Sequence, residues 1–171
     1  IELKNNNFDK DLILKAIKKY KPKVVFVQRS RGYTSRKALS IKQMQEIFAD
    51  IKTVKNPPFI VVDNCYGEFV EEKEPTEVGA DVIVGSLIKN PGGGLAPTGA
   101  YIAGTEKAID MISTRFTSPS LLLEVGSYEL GYRMFYQGLF LAPHTVAQAL
   151  KGAMLVGGVM EEKGYKIIPS N

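Results

Sequence analysis

Apolar positions along the chain fall into two spacings, one that suits helices and one that suits short buried strands. Leu12, Ile13, Ala16, Ile17 and Tyr20 share one face of a helix predicted from Phe8-Asp9 to about Tyr20, with Lys10, Lys15, Lys18 and Lys19 opposite. Pro22 stops it. Val24 to Val27 is a continuous β-branched and aromatic run, as expected of a parallel-sheet strand covered on both faces. Ser40 is positioned to cap a second helix, Ile41 to about Val54, whose apolar face is Ile41, Met44, Ile47, Phe48 and Ile51. Asn56-Pro57-Pro58 ends that helix. Phe59 to Val62 and Val82 to Val84 read as further strands, with an acidic loop and one helical turn at Thr76 to Ala80 between them.

Only nine residues, Asn90 to Thr98, precede the next strand, Ala100 to Ala103. A parallel crossover needs about a dozen or more, so this strand is predicted to run antiparallel to its predecessor. Thr105 caps a helix to about Phe116, and Thr117 to Val125 reads as a loop. Gly126 to Gly138 and Pro143 to Lys163 read as two more helices, with His144 near the start of the second as a capping or interface residue. The alternation predicts a three-layer α/β fold around a mostly parallel sheet with one antiparallel strand.

Composition narrows the class. The chain has 171 residues, 44% hydrophobic and 23% charged, enough for one domain with a core, and it does not read as disordered. Its 22 basic and 18 acidic residues give a formal charge of +4, but the lysines are scattered and no nucleic-acid motif accompanies them. Cys65 is alone, so no disulfide or cysteine zinc site forms within the chain, and a reducing, cytoplasmic setting is expected. No uninterrupted apolar run approaches the roughly 20 residues that span a bilayer, so no membrane partner is expected. The start at Ile1 suggests a piece of a longer protein.

Sheets of this kind place their chemistry beyond the carboxyl ends of the strands. Three groups fall there: Gln28-Arg29-Ser30-Arg31, Asp63, and Ser86 with Lys89. Lys89 sits between an apolar strand and the loop Pro91 to Pro97, whose Gly92 to Gly94 would give the backbone room to turn into the antiparallel strand. An amine that reacts at neutral pH needs its pKa lowered from about 10.4, or capture as an imine. Pyridoxal phosphate supplies the second route, and it also has uses for a carboxylate and a hydroxyl. A nucleotide P-loop is excluded by order, because Lys89 precedes its glycines. Arg29, Ser30, Arg31 and Arg36 read as a solvated cluster, from which Ser30 or Arg31 is the choice for phosphate, phenolic-oxygen or substrate-carboxylate contact. Cys65 reads as a small filler, and the aromatics from Tyr132 to Phe140 as core or subunit contact.

The stretches VVDNCYGEF and ADVIVGSLIKNPGGG resemble the aspartate and lysine segments of fold-type I pyridoxal-phosphate enzymes. The VDN, GADV and S-x-x-K order is similar to the cysteine and methionine metabolism group. QRSRGY and YQGLFLAPHTVAQALKGA resemble the aluminium resistance or methionine gamma-lyase-like proteins. The resemblance implies Lys89 as the Schiff-base lysine, Asp63 as partner of the pyridine nitrogen and Ser86 as a phosphate ligand. Where gamma-lyases carry Thr beside the lysine this chain has Ile88, and Asp63-x-x-Tyr66 resembles the aminotransferase version, in which the tyrosine hydrogen-bonds the phenolic oxygen. Residues 1–138 would be part of the cofactor-binding large domain, and 139–171 a long helix leading toward a C-terminal domain. The implied activity is carbon–sulfur elimination from a sulfur-containing amino acid, in a homodimer or homotetramer. Another reaction on the same fold (transamination or aldol cleavage) and a non-catalytic scaffold are the alternatives.

Overall fold

The structure, a computed structural model, describes residues 1–116 and 131–168. Helix α1 spans Lys10–Tyr20, capped by Asp9, whose carboxylate accepts the Leu12 N–H at 3.0 Å. Strand β1 is Val24–Gln28 and helix α2 is Ile41–Lys52. Ser40 caps α2 in a capping box with Gln43, as its position predicts. Strands β2, Phe59–Asp63, and β3, Val82–Ser86, follow, with a 3-10 turn at Pro75–Val78 between them. A second 3-10 turn, Asn90–Gly92, leads toward β4, Ala100–Gly104. Helix α3, Glu106–Phe116, starts where the Thr105 hydroxyl accepts the Ala108 N–H. Helix α4 is Arg133–Glu162.

The strands lie in sequence order, β1, β2 and β3 parallel and β4 antiparallel to β3. This is the mixed α/β architecture that the nine-residue connection requires. Val27, Ile60, Val62 and Ile83 face Met44, Ile47, Phe48 and Ile51 of α2 to form the core, with Ile17 of α1 at its margin. At the amino-terminal edge, the Asp81 carboxylate accepts the Ile60 N–H and the Lys52 ammonium, both at 2.7 Å, and so ties β2 to the end of α2. Strand β1 departs from expectation. Among the described residues it is covered on one face only, leaving Val24 and Phe26 exposed, because α1 and α2 both pack on the Val27 side.

The carboxyl-terminal region differs more. The loop predicted over Thr117 to Val125, and residues 126–130 of the helix predicted over Gly126 to Gly138, lie outside the described residues; residues 133–138 belong to α4, which runs without interruption through Pro143. An interior proline costs a hydrogen bond and about 3 kcal/mol. Packing explains why the helix continues: its buried positions, Gly138, Ala142 and Val146, form one stripe that passes on both sides of the proline. His144 therefore stands exposed within a helix rather than at its start. The resulting helix is 30 residues long and, unlike any uninterrupted apolar run, meets the length and composition of a bilayer span.

At Gly138 that stripe meets the loop after β3 with backbone against backbone. A Cβ on Gly138 would overlap the Gly92 carbonyl oxygen, and one on Gly93 would overlap the carbonyl oxygen of Gly138. Both Gly93 and Gly94 serve the turn, with φ of 54° and 81°, and Gly93 has a second use, to admit the helix. Gly138→Ala should therefore lower the melting temperature, its overpacking cost of about 1–3 kcal/mol outweighing the gain in helix propensity. Gly152→Ala, in the same helix with nothing within 4 Å of the new methyl, should raise it. Thermal unfolding of both variants checks the opposite signs.

Candidate functional site

Register brings the chemical groups together. Gln28 pairs with Asp63 across β1 and β2, and Asp63 pairs with Val84 across β2 and β3. Ser86, two residues beyond Val84, therefore projects from the same face of the sheet as Asp63. A cavity of ≈ 690 Å³ opens at these strand ends, and Ser30, Arg31, Asp63, Tyr66 and Lys89 all line it. Ser86 is not among its lining residues; it ends β3, where its carbonyl accepts the Lys89 N–H at 3.3 Å. A second cavity, of ≈ 710 Å³ between α1 and β1, is lined by none of Ser30, Arg31, Asp63, Tyr66, Ser86 and Lys89.

The turn after β2 is built by its own polar groups. Asp63 Oδ1 accepts the Cys65 N–H at 3.0 Å, and the Asn64 N–H reaches the Val84 carbonyl at 2.9 Å. Tyr66 and Phe69 both take left-handed conformations, with φ of 67° and 63°. Such values cost a non-glycine residue about 1–3 kcal/mol and cluster at functional sites. The Lys89 ammonium lies 4.4 Å from the centre of the Tyr66 ring, a cation–π contact. Burial alone would lower the Lys89 pKa, but the neighbouring Cys65 thiol and Tyr66 hydroxyl more than offset it and hold it above its ordinary value. The surroundings of Lys89 thus favour the protonated amine. Burial also pushes the Cys65 thiol up, as does the Asp63 carboxylate, which suits a filler rather than a nucleophile.

Beside the cavity lies a group that the sequence pattern misplaces. Arg29, expected in a solvated cluster, is 3% exposed. Its Nη1 donates to Asn64 Oδ1 at 2.8 Å and to the Gly67 carbonyl at 3.0 Å, and its Nη2 donates to Glu71 Oε2 at 2.7 Å. Glu74 stands 3.6 Å away. Both oxygens of Glu71 also accept the Ile41 N–H, at 3.1 Å, so the same carboxylate serves the start of α2. Arg36 is likewise occupied, donating to the carbonyls of Gln28, Ser30 and Lys37. Arg31 lines the cavity with Ser30, as does Arg29, whose guanidinium is engaged by Asn64, Gly67 and Glu71.

The family model for methionine gamma-lyase matches residues 1–171. The chain belongs to the methionine gamma-lyase family. Within that relationship it is 46% identical over 166 residues to the uncharacterised protein YnbB of Bacillus subtilis (strain 168), covering 97% of this chain and 39% of YnbB. A carbon–sulfur lyase involved in aluminium resistance from Clostridium novyi NT is 45% identical, with a TM-score of 0.91 over 99% of this chain and 40% of that one. The chain thus spans about two fifths of the length of these relatives. The pyridoxal-5'-phosphate dependent protein YhfS of Escherichia coli, 18% identical, shares the fold with a TM-score of 0.59 over 91% of this chain and 40% of its own.

In this member of the methionine gamma-lyase family, sequence reasoning misses a polar network in which Arg29 and Glu71 line the cavity and Asn64, Glu68 and Tyr101 continue behind it. The available signal was the acidic run Glu71, Glu72 and Glu74, which a buried cation elsewhere in the chain would need. Arg29→Ala should destabilise the protein by about 1–3 kcal/mol, since it leaves the Asn64 amide oxygen and the Gly67 carbonyl without their donor. Arg29→Lys should recover only part of that, because an ammonium cannot reproduce the fork. Denaturant titration of the two variants measures both.

Proposed function

We propose that the full-length protein is a pyridoxal-phosphate-dependent carbon–sulfur lyase of a sulfur-containing amino acid, such as methionine or cystathionine. The observation that carries this reading is one cavity, at the carboxyl ends of parallel strands, lined by a lysine, an aspartate and a tyrosine in a chain of the methionine gamma-lyase family. The names of its relatives support carbon–sulfur bond cleavage. The cavity's volume falls within the 300–1,000 Å³ range of small-molecule sites. Its donor set fits the cofactor, offering an amine, a carboxylate, hydroxyls and a guanidinium.

Bound there, the cofactor supplies an electron sink for the substrate's carbon electrons. Lys89 would hold it covalently, after giving up the proton that Cys65 and Tyr66 favour on the ammonium. Asp63, fixed by the Cys65 N–H, would present its carboxylate to a protonated ring nitrogen. Tyr66 would donate to the phenolic oxygen, and Ser86 with Ser30 and Arg31 would serve phosphate or the substrate carboxylate. Once released, Lys89 would carry protons between substrate carbons; the sulfur group would leave as a thiol, and hydrolysis of the resulting unsaturated amino acid by water would give a 2-oxo acid and ammonia. We extend the proposal to a cytoplasmic homodimer or homotetramer, on the family resemblance.

The test is formation of 2-oxo acid by the full-length protein across a panel of sulfur amino acids. Wild type should form it and Lys89→Ala should not; transamination products or cleaved aldols in its place would replace the reaction type. Asp63→Asn should keep the cofactor through dialysis but lose turnover on the order of 10²-fold or more, the scale of a lost proton-handling group. Ser86→Ala should release cofactor faster, as measured by absorbance after dialysis.

A further inference from the structure

Behind the turn that carries Tyr66 lies a carboxyl group that the proposed reaction does not use. Glu68 is 4% exposed. Its Oε1 accepts the Tyr101 hydroxyl at 2.8 Å, and its Oε2 is buried with no hydrogen-bond partner among the described residues. Its backbone carbonyl accepts Asn90 Nδ2 at 3.0 Å, and Asn90 directly follows Lys89. The Tyr101 hydroxyl is in turn reached by Asn64 Nδ2 at 3.4 Å, and the Asn64 carboxamide is held by Arg29 and Glu74. A polar chain therefore runs from the buried arginine through Asn64, Tyr101 and Glu68 to the residue beside Lys89. Gly85 makes room for it, since a Cβ there would overlap both Glu68 Oε1 and the Tyr101 ring.

The charges around this chain decide its protonation. Three carboxylates gather near one guanidinium: Glu71 and Glu74 engage Arg29, at 2.7 and 3.6 Å, and Glu68 does not touch it. A third negative charge, out of water and with one oxygen bare, has no cation in contact with it among the described residues. The groups around Glu68 are Tyr101 from β4, which donates to it, Asn64 behind Tyr101, the charges of Glu74 and Arg29, and Asn90, which donates to its backbone carbonyl. We infer that Glu68 is a buried neutral acid that acts, with Tyr101 and Asn90, as a positioning residue for the Lys89 turn. Burial raises its pKa, with Glu74 adding to it, while its own backbone N–H, Tyr101 and Arg29 only partly counter this. The positioning role rests on the reading of Lys89 as the attachment lysine; the protonation state does not.

Two measurements on the full-length protein separate the parts. The first compares melting temperature against pH for cofactor-free wild type and Glu68→Gln, which mimics the neutral acid. A folded state that holds this proton more tightly than the unfolded chain is fully favoured below the unfolded pKa of about 4.3, and loses that advantage as pH rises toward the folded value. Wild type should therefore fall in melting temperature relative to Glu68→Gln as pH rises through that window. A constant difference, or a wild type that gains on the variant, would overturn the neutral acid. The second measurement follows the pH midpoint of the visible absorbance of lysine-bound cofactor. Tyr101→Phe and Glu68→Ala should shift it, and Glu68→Gln should restore it. If Glu68→Ala does not fold, the Tyr101→Phe and Glu68→Gln pair still decides. An unshifted midpoint in a wild type that binds cofactor at Lys89 would end the positioning role and leave the lyase reading standing. A wild type that never binds it at Lys89 would end both of those, while the pH–stability comparison would still decide the protonation.

Discussion

One buried guanidinium closes the carboxyl-terminal edge of the sheet. Arg29 leaves the end of β1 and meets Asn64 and Gly67 beyond β2, and through Glu71 it reaches the first turn of α2. Arginine suits this position because its planar fork offers five donors in fixed directions, so one side chain satisfies an amide, a carbonyl and a carboxylate at once. Space for it comes from Gly67, where any Cβ would overlap the guanidinium. The cavity is lined by what this arrangement fixes: Asp63 and Tyr66 from the turn that Arg29 braces, and Ser30 and Arg31 from the loop it anchors.

The segment after Lys89 depends on a different constraint, close backbone contact. Gly93 and Gly138 let α4 approach the loop that follows Lys89 until backbone meets backbone. Packing of this kind admits few alternative positions, because there is no rotamer to adjust. The lysine turn is thus held from two sides, by the helix beyond the glycines and by the Asn90 contact to Glu68. Both contacts involve groups a few residues from Lys89, and neither competes with it for the cavity.

Much of this was legible in the sequence, for physical reasons that separate local from distant information. The helix caps at Ser40 and Thr105, the strand runs, and the antiparallel return to β4 follow from patterns a few residues long. The nearness of Asp63 and Lys89 follows from strand ends in a parallel sheet, a rule of topology, whereas Tyr66 was legible only through the family resemblance. The burial of Arg29 was not legible, because its partners lie 35, 38 and 42 residues away and nothing local distinguishes it from Arg31. The continuity of α4 through Pro143 was hidden similarly: local propensity argues for a break, and the packed stripe of Gly138, Ala142 and Val146 overrides it. The raised Lys89 pKa escaped for a third reason, since it depends on where the Cys65 and Tyr66 side chains point.

The central claim is that Lys89 is the point of covalent attachment for pyridoxal phosphate. It is tested most directly by reducing the full-length protein with borohydride in the presence of the cofactor, digesting it, and locating the added pyridoxyl group by mass spectrometry. The account predicts stoichiometric modification of the peptide that contains Lys89. Modification of another lysine, or none at all, would contradict it.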